Sequence, residues 1–447
     1  MTSPPVVAPA APRYEDAPAR PANFLLLVVD VACWAVGMAF LDAQTVLPRL
    51  VELMGGGPVV LGVLLSLRQV GYWGPQLLVA QRLQNRDRYL PFLLRVCAWG
   101  RAPMLAAAVV IALFGGRSPA LALAALVIAY GMQWAGDGAG GVPWTAIVGR
   151  TIAAGQRGRF FATTQVVSGI GRIGVGLLIA QVFAGRIIDP FPAGAALLVL
   201  LAALLLGVSW AALALLREPP VPAAERSAAA DRPAALPLGA YLRALPVRLR
   251  ARPDIGRLAL VQGLGGALAA TGPFYGRLAQ GSPTAPLLPA GVEGRFLISV
   301  TLGALVCAPL WGWMTDRYGP RAALFALACA ALLSPLVATA GWVAPAGGGL
   351  ITFYAAYFLL GSVIEGGWAV FTSYLLEAVP GGSEQPVYIG LLSILNVPAA
   401  LLLPLGAGAL VQAFGPLTLL APAVVLLVVA LALVRGLPDT RRAAAVE

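Results

Sequence analysis

Twelve apolar runs, each near the length that crosses a bilayer, constrain this chain more than any other feature. A spanning helix needs about 20 predominantly apolar residues. The runs cover 23–48, 58–80, 91–113, 119–149, 160–185 and 191–216, then 255–279, 293–314, 322–342, 348–377, 387–412 and 416–436. Lipid offers no partner to a bare backbone amide, so runs of this kind fold as helices. Of the 447 residues, 59% are hydrophobic and 11% charged, against about 25% charged in a soluble domain. The expected fold class is an all-α integral membrane protein with twelve transmembrane helices in two pseudo-symmetric six-helix bundles.

The formal charge of +11 raises the question of nucleic acid. The placement of the basic residues answers it. All 30 are arginines, with no lysine and no histidine, and most sit between apolar runs. Twenty-one flank the runs on the side that holds both termini, and only Arg49, Arg117, Arg186, Arg277 and Arg295 flank them on the other. That bias is the positive-inside pattern, which predicts a multi-pass plasma (inner) membrane protein with both termini cytoplasmic. A basic groove interleaved with aromatics is absent, so nucleic acid is not an expected partner.

Residues 1–22 are rich in Pro and Ala, lack the order of a signal peptide, and read as a disordered cytoplasmic tail. Residues 217–254 form the one long polar connection, a cytoplasmic linker between bundles at 23–216 and 255–436, and 437–447 form a second cytoplasmic tail. Leu238 to Arg252 mixes Leu and Tyr with Arg, and reads equally as a membrane-surface segment or a flexible linker. Cys33, Cys97, Cys307 and Cys329 fall inside apolar runs as small core residues. No spacing suggests a disulfide or metal site, and no cofactor is expected.

A weak internal repeat relates the two halves. Asp137 in the fourth run and Glu365 in the tenth are 228 residues apart, and Thr145 and Thr372 are 227 apart. An acid thus recurs at nearly the same depth in each half. Asp137 lies in Gln133-Trp134-Ala135-Gly136-Asp137-Gly138, where glycines allow close approach of another helix.

After the eighth run comes Gly312-Trp313-Met314-Thr315-Asp316-Arg317-Tyr318-Gly319-Pro320-Arg321. This closely resembles the GxxxDRxGxR loop signature of the major facilitator superfamily. The resemblance implies a 6 + 6 transporter fold from about Phe24 to Arg435, with helices 1, 4, 7 and 10 lining a central cavity. In physical terms, Gly312 is expected to allow close helix contact and Gly319 a tight turn. Asp316 is expected to accept charge-assisted bonds, with Arg317 and Arg321 beside it, so that the loop latches one conformation. Departures limit the likeness. The first-half loop, Gly74 to Arg82, lacks the acid, and Met132 stands where the family's fourth helix carries an arginine associated with proton coupling. Helix 5 lacks the Gly-Pro signature of drug–proton antiporters. Phe40–Pro48 and Arg157–Phe161 look like an uncharacterised group of bacterial permeases.

Charges inside the runs mark the candidate site, because a charge at that depth is costly unless paired or wetted. The candidates are Asp42, Arg68, Asp137, Arg172 and Glu365. Arg68 and Arg172 read either as fixed partners of Asp42 or Asp137 or as solute ligands. Gln133, Asp137, Gly141 and Trp144 share one helical face, and Gly361, Glu365, Trp368 and Thr372 another. Each face joins an acid to an aromatic, which suits a polar or cationic solute, or else packs helices. Asn396 is a further polar candidate, whereas Asp30 and Arg95 read as structural.

The function expected is secondary active transport of a small solute by alternating access, with a proton as candidate coupling ion and the protein a monomer in the bilayer. Export of amphipathic or cationic compounds is one alternative, and a lipid-handling protein or receptor on the same fold is another. An enzyme is not expected, since histidine and a nucleophile–base or metal grouping are missing.

Overall fold

The computed structural model describes residues 21–83, 88–219, 247–281, 288–344, 349–379 and 385–441. Residues 1–20, most of the linker expected at 217–254, including residues 238–246, and residues 380–384 lie outside the described residues.

The first bundle is built from α1 (Pro21–Ala39), α2 (Val46–Leu53), α3 (Pro58–Leu83), α4 (Leu90–Phe114), α5 (Pro119–Thr151), α6 (Arg157–Phe183) and α7 (Ala195–Ala214). The second contains α8 (Pro253–Thr271), α9 (Tyr275–Gln280), α10 (Val292–Tyr318), α11 (Pro320–Val343), α12 (Gly349–Ala378), α13 (Gln385–Phe414) and α14 (Leu420–Arg435). Proline opens α3, α5, α8 and α11, where its missing N–H is no loss and its fixed φ suits a first turn.

Among the described residues, ten helices are long and apolar enough to cross a membrane. Of the expected twelve, the remaining two are α3, which carries Arg68, Gln69 and Gln76, and α8, which carries Asp254, Arg257 and Gln262. The continuous spans expected at 23–48 and 255–279 are both broken, and this corrects the reading from the apolar runs. α1 stops at Ala39 and resumes as α2, while α8 stops at Thr271 and resumes as α9. Asp42 causes the first break: its Oδ1 accepts from the Gln44 and Thr45 amides, each at 3.0 Å, and from Thr45 Oγ1 at 2.9 Å, in place of the helical ladder. Pro273 sits in the second break, within a 3₁₀ turn at Gly272–Phe274.

In the first bundle α4 packs on α5 and α7, α5 on α3, and α1 on α6 and α7. In the second, α12 packs on α10 and α11, and α8 on α13 and α14. Two seams join the bundles: α3 against α13, and α6 against α10.

Both seams are tightest at the end away from the termini. Gly62 faces the Pro404 carbonyl, Gly408 faces Pro58, and Ser66 Oγ donates to the Leu401 carbonyl at 2.8 Å. On the other seam Gly176 meets Gly294, and Gly291 meets Ala180, backbone to backbone. Glu52 of α2 receives Arg277 of α9 at 2.7 Å, and Arg49 stands 3.7 Å from Glu293. Nearer the termini, a Cβ added to Gly74, Gly158 or Gly312 would meet nothing within 4 Å. The pairs Arg150–Glu218, Arg252–Asp254 and Arg441–Glu377 at that end each stay within one bundle. The two bundles therefore meet as a V, closed at the far end and parted toward the termini.

Candidate solute-binding site

The apex of the V lies where the seams end, and three intramembrane charges, Asp42, Arg172 and Glu365, meet there. Arg172, midway along α6, reaches two acids. Its Nη2 is 3.6 Å from Asp42 Oδ2 in its own bundle, and its Nη1 is 3.4 Å from Glu365 Oε1 on α12 of the other. Of the two pairings open to Arg172 from sequence, the one with Asp42 is formed. Arg68 pairs with neither acid. Its guanidinium carbon lies 4.8 Å from the centre of the Trp134 ring.

Asp137 and Glu365 share a depth but not an environment. Asp137 Oδ2 accepts from Trp34 Nε1 at 2.8 Å and from Gln133 Nε2 at 2.9 Å, both within the first bundle. Glu365 spans the seam. Around Asp137 the rings of Trp34, Tyr72 and Tyr130 each lie between 6.1 and 6.3 Å from Trp134, edge to face. Trp34, Tyr72 and Tyr130 escaped the sequence reading. Only an acid's need for donors could have pointed to Trp34.

Trp144 does not join the Asp137 face as expected. Its indole Nε1 donates to Asp30 at 2.9 Å. Asp30 also accepts from Ser209 at 2.5 Å, and Arg101 donates to Ser209 at 3.0 Å. This network ties α1, α4, α5 and α7 together and includes both Asp30 and Trp144. Trp368 makes no such bond and is 67% exposed, three residues beyond Glu365. Asn396 of α13 donates to Gln262 Oε1 of α8 at 3.0 Å, a pairing within the second bundle.

The loop motif also differs from expectation. Gly319 makes the tight turn between α10 and α11 with φ of 88°. Gly312, however, is exposed and touches no helix. The bonds at Asp316 go to its carbonyl, which accepts from Arg441 at 2.8 Å. Arg317 is exposed, and Arg321 donates to the Arg435 carbonyl at 2.7 Å. The arginine that docks on the motif is thus Arg441, which follows the last helix.

The sequence model of the Major Facilitator Superfamily matches residues 291–447. No curated protein sequence matches the chain. Among solved structures, the fold is similar to a nucleoside transporter, NupG, at 14% identity and a TM-score of 0.65 over 94% of this chain and 100% of that one. It is similar to a peptide transporter, POT, in complex with sulfate, at 18% identity and a TM-score of 0.65 over 95% and 96%. A bacterial homologue of the iron transporter ferroportin, at 14% identity, gives a TM-score of 0.64 in its inward-facing state over 93% and 98%. Its outward-facing state gives 0.58 over 95% and 99%.

Proposed function

From a multi-pass membrane chain that carries the fold of the major facilitator superfamily and matches its sequence model over residues 291–447, we propose a secondary active transporter that moves a small solute by alternating access. The observation that carries this reading is the V itself. Bundle-to-bundle packing is concentrated at one end, and the cluster of Asp42, Arg172 and Glu365 sits at its apex. Two rigid bundles that touch along two seams can rock about a midplane site. The parted end is the arginine-rich one, so with both termini cytoplasmic this state faces inward. The higher likeness to the inward-facing ferroportin homologue supports that assignment.

The cycle then runs as follows. Solute enters from the cytoplasmic side, or leaves to it, through the parted seams. Rocking closes Gly158 and Gly312 toward each other's bundles and separates Gly176 from Gly294. Arg172 is the side chain placed to sense the solute, because it touches an acid of each bundle. Glu365, partly exposed and held by one ion pair, is the acid best placed to exchange a proton with the cavity. The protein works as a monomer in the plasma membrane, with cytoplasmic segments at 1–22, 217–254 and 437–447 around bundles at 23–216 and 255–436.

Proteoliposomes with an imposed pH gradient and a panel of labelled solutes test this. The parent protein should carry at least one solute, with gradient-dependent flux that Glu365→Gln uncouples and Asp137→Asn slows. Absence of flux for every solute class under every gradient would sink the transport reading. Normal gradient-driven flux in both variants would remove the coupling role.

A further inference from the structure

We infer that the solute is an organic monocation with an aromatic or apolar body, its charge taken by Glu365 in place of Arg172 and its body laid against Trp368. The inference rests on the transport reading and names the solute class for the same site.

Charge balance points to the sign. At the apex two carboxylates, Asp42 and Glu365, share the one guanidinium of Arg172, at 3.6 and 3.4 Å. One negative charge is left over. Adding Asp30, Asp137, Arg68 and Arg101 of the first bundle gives four acids against three arginines, and the excess stays at one. A net charge at this depth is costly. One monovalent cation removes it, whereas an anion doubles it and a neutral solute leaves it.

The acids differ in how firmly they are held, and this picks out Glu365. Asp42 accepts three bonds from Gln44 and Thr45 besides facing Arg172. Asp137 holds two donors on one oxygen. Among the described residues Glu365 has Arg172 as its one partner, through Oε1, and its side chain is 44% exposed against 12% for Asp42. When a cation takes Glu365, Arg172 stays with Asp42, and each charge then has one partner of opposite sign. The cross-bundle contact is lost in that exchange, so the solute itself releases the V.

The surroundings suit a cation that carries a body. On the far side the cluster is capped. Gln44 Nε2 donates to the Ala269 carbonyl at 3.4 Å, and a Cβ on Gly272 would run into Gln44 and Leu360. Toward the termini the bundles part, and Trp368 lies one turn from Glu365 on that side of the same helical face. Residues three apart on a helix are neighbours, about 5–6 Å between Cβ atoms. Trp368 is largely exposed and its indole is uncommitted. A cation held at Glu365 within about 6 Å of that ring is attracted to its face.

The test measures equilibrium binding of benzylammonium, phenethylammonium and benzyltrimethylammonium to the purified full-length protein, with benzyl alcohol and benzoate as controls. At least one cation should bind saturably, and both controls should be weaker by about tenfold or more. Glu365→Gln should abolish that binding. Trp368→Ala should weaken it by about three- to tenfold, and Trp368→Phe by less. These two changes fall on an exposed side chain and decide the matter if Glu365→Gln does not fold. Spin labels at Phe161 and Trp313 should shift toward short distances when the cation binds, because only the state without the Arg172–Glu365 contact is favoured by it. The inference is overturned if no cation binds, if a control binds as tightly, or if either Glu365→Gln or Trp368→Ala binds like the parent. Binding that leaves the distances unchanged overturns the exchange with Arg172. Counterflow in proteoliposomes separates the two readings. Flux of neutral or anionic solutes without cations leaves the transporter standing and removes the cation, whereas absence of all flux removes the transporter.

Discussion

Arg172 of α6 stands 3.4 Å from Glu365 of α12 while its other terminal nitrogen stands 3.6 Å from Asp42, so one guanidinium is shared by the two bundles. The side chains are 17% and 44% exposed for Arg172 and Glu365. Solvent screening at that exposure limits the pair to about 0.5–1 kcal/mol. Glu365→Gln should then shift the balance between V-shaped and rocked states by about two- to fivefold, away from the V. Spin labels at Phe161 and Trp313, both exposed near the parted end, would show a larger population of short distances. An unchanged distribution would mean that Asp42 alone holds Arg172 and that the cross-bundle contact is no latch.

The far end offers a second handle. Glu52 lies between Arg277 at 2.7 Å and Arg49 at 3.5 Å, and Arg49 also faces Glu293. Glu52→Gln leaves two arginines without their shared acid, and the closed end should open more often. Ser66, buried in the seam, can report this as Ser66→Cys in a chain whose four cysteines are replaced by alanine. Its labelling by an impermeant maleimide from the far side should rise by about threefold or more, and high salt should produce part of the same rise in the parent. Equal labelling with and without Glu52 would show that glycine packing alone seals that end.

Much of this fold was legible in sequence because hydropathy and arginine placement are one-dimensional signals. The runs at 119–149 and 348–377 became α5 and α12 with ends shifted by no more than two residues. The breaks after Ala39 and Thr271 were not legible, since Phe40, Leu41 and Phe274 keep both runs apolar across them. Charged depth was also readable, and Asp42, Arg172 and Glu365, picked out on that ground, meet in one cluster. Partners were not. Arg68 rests on Trp134, 66 residues away in sequence, and a helical wheel describes one helix rather than the four that meet around Asp30. Gly312 shows the same limit in reverse: a motif glycine implied a contact that the parted seam does not make in this state.

Trp144 puts that limit to experiment. Its spacing from Asp137 suggested a solute contact, but its indole N–H is spent on Asp30. Trp144→Phe should leave solute affinity within about twofold of the parent, because the ring stays and the site is elsewhere. It should lower stability by about 1–2 kcal/mol, the cost of removing one donor from a buried carboxylate. Thermal unfolding alongside binding distinguishes the roles, and a large loss of affinity at parental stability would return Trp144 to the site.

The glycines separate packing that holds a bundle from packing that joins two. Within the second bundle, a Cβ on Gly361 would land on the Val300 carbonyl, and one on Gly303 would land on Phe358. Across the seam, a Cβ on Gly176 would come within 2.7 Å of the Gly294 carbonyl. Neither α10 nor α12 can move aside inside its bundle without disturbing α11, so Gly361→Ala should cost about 1–3 kcal/mol and lower the unfolding temperature. The seam has a cheaper way to relieve the same clash, because the bundles can rock apart. Gly176→Ala should therefore leave thermal unfolding near the parent's while shifting the population toward a state open at the far end, read by Ser66→Cys labelling. Equal destabilisation by both substitutions would mean that the α6–α10 seam is part of one rigid core, and rocking about it would have to be abandoned.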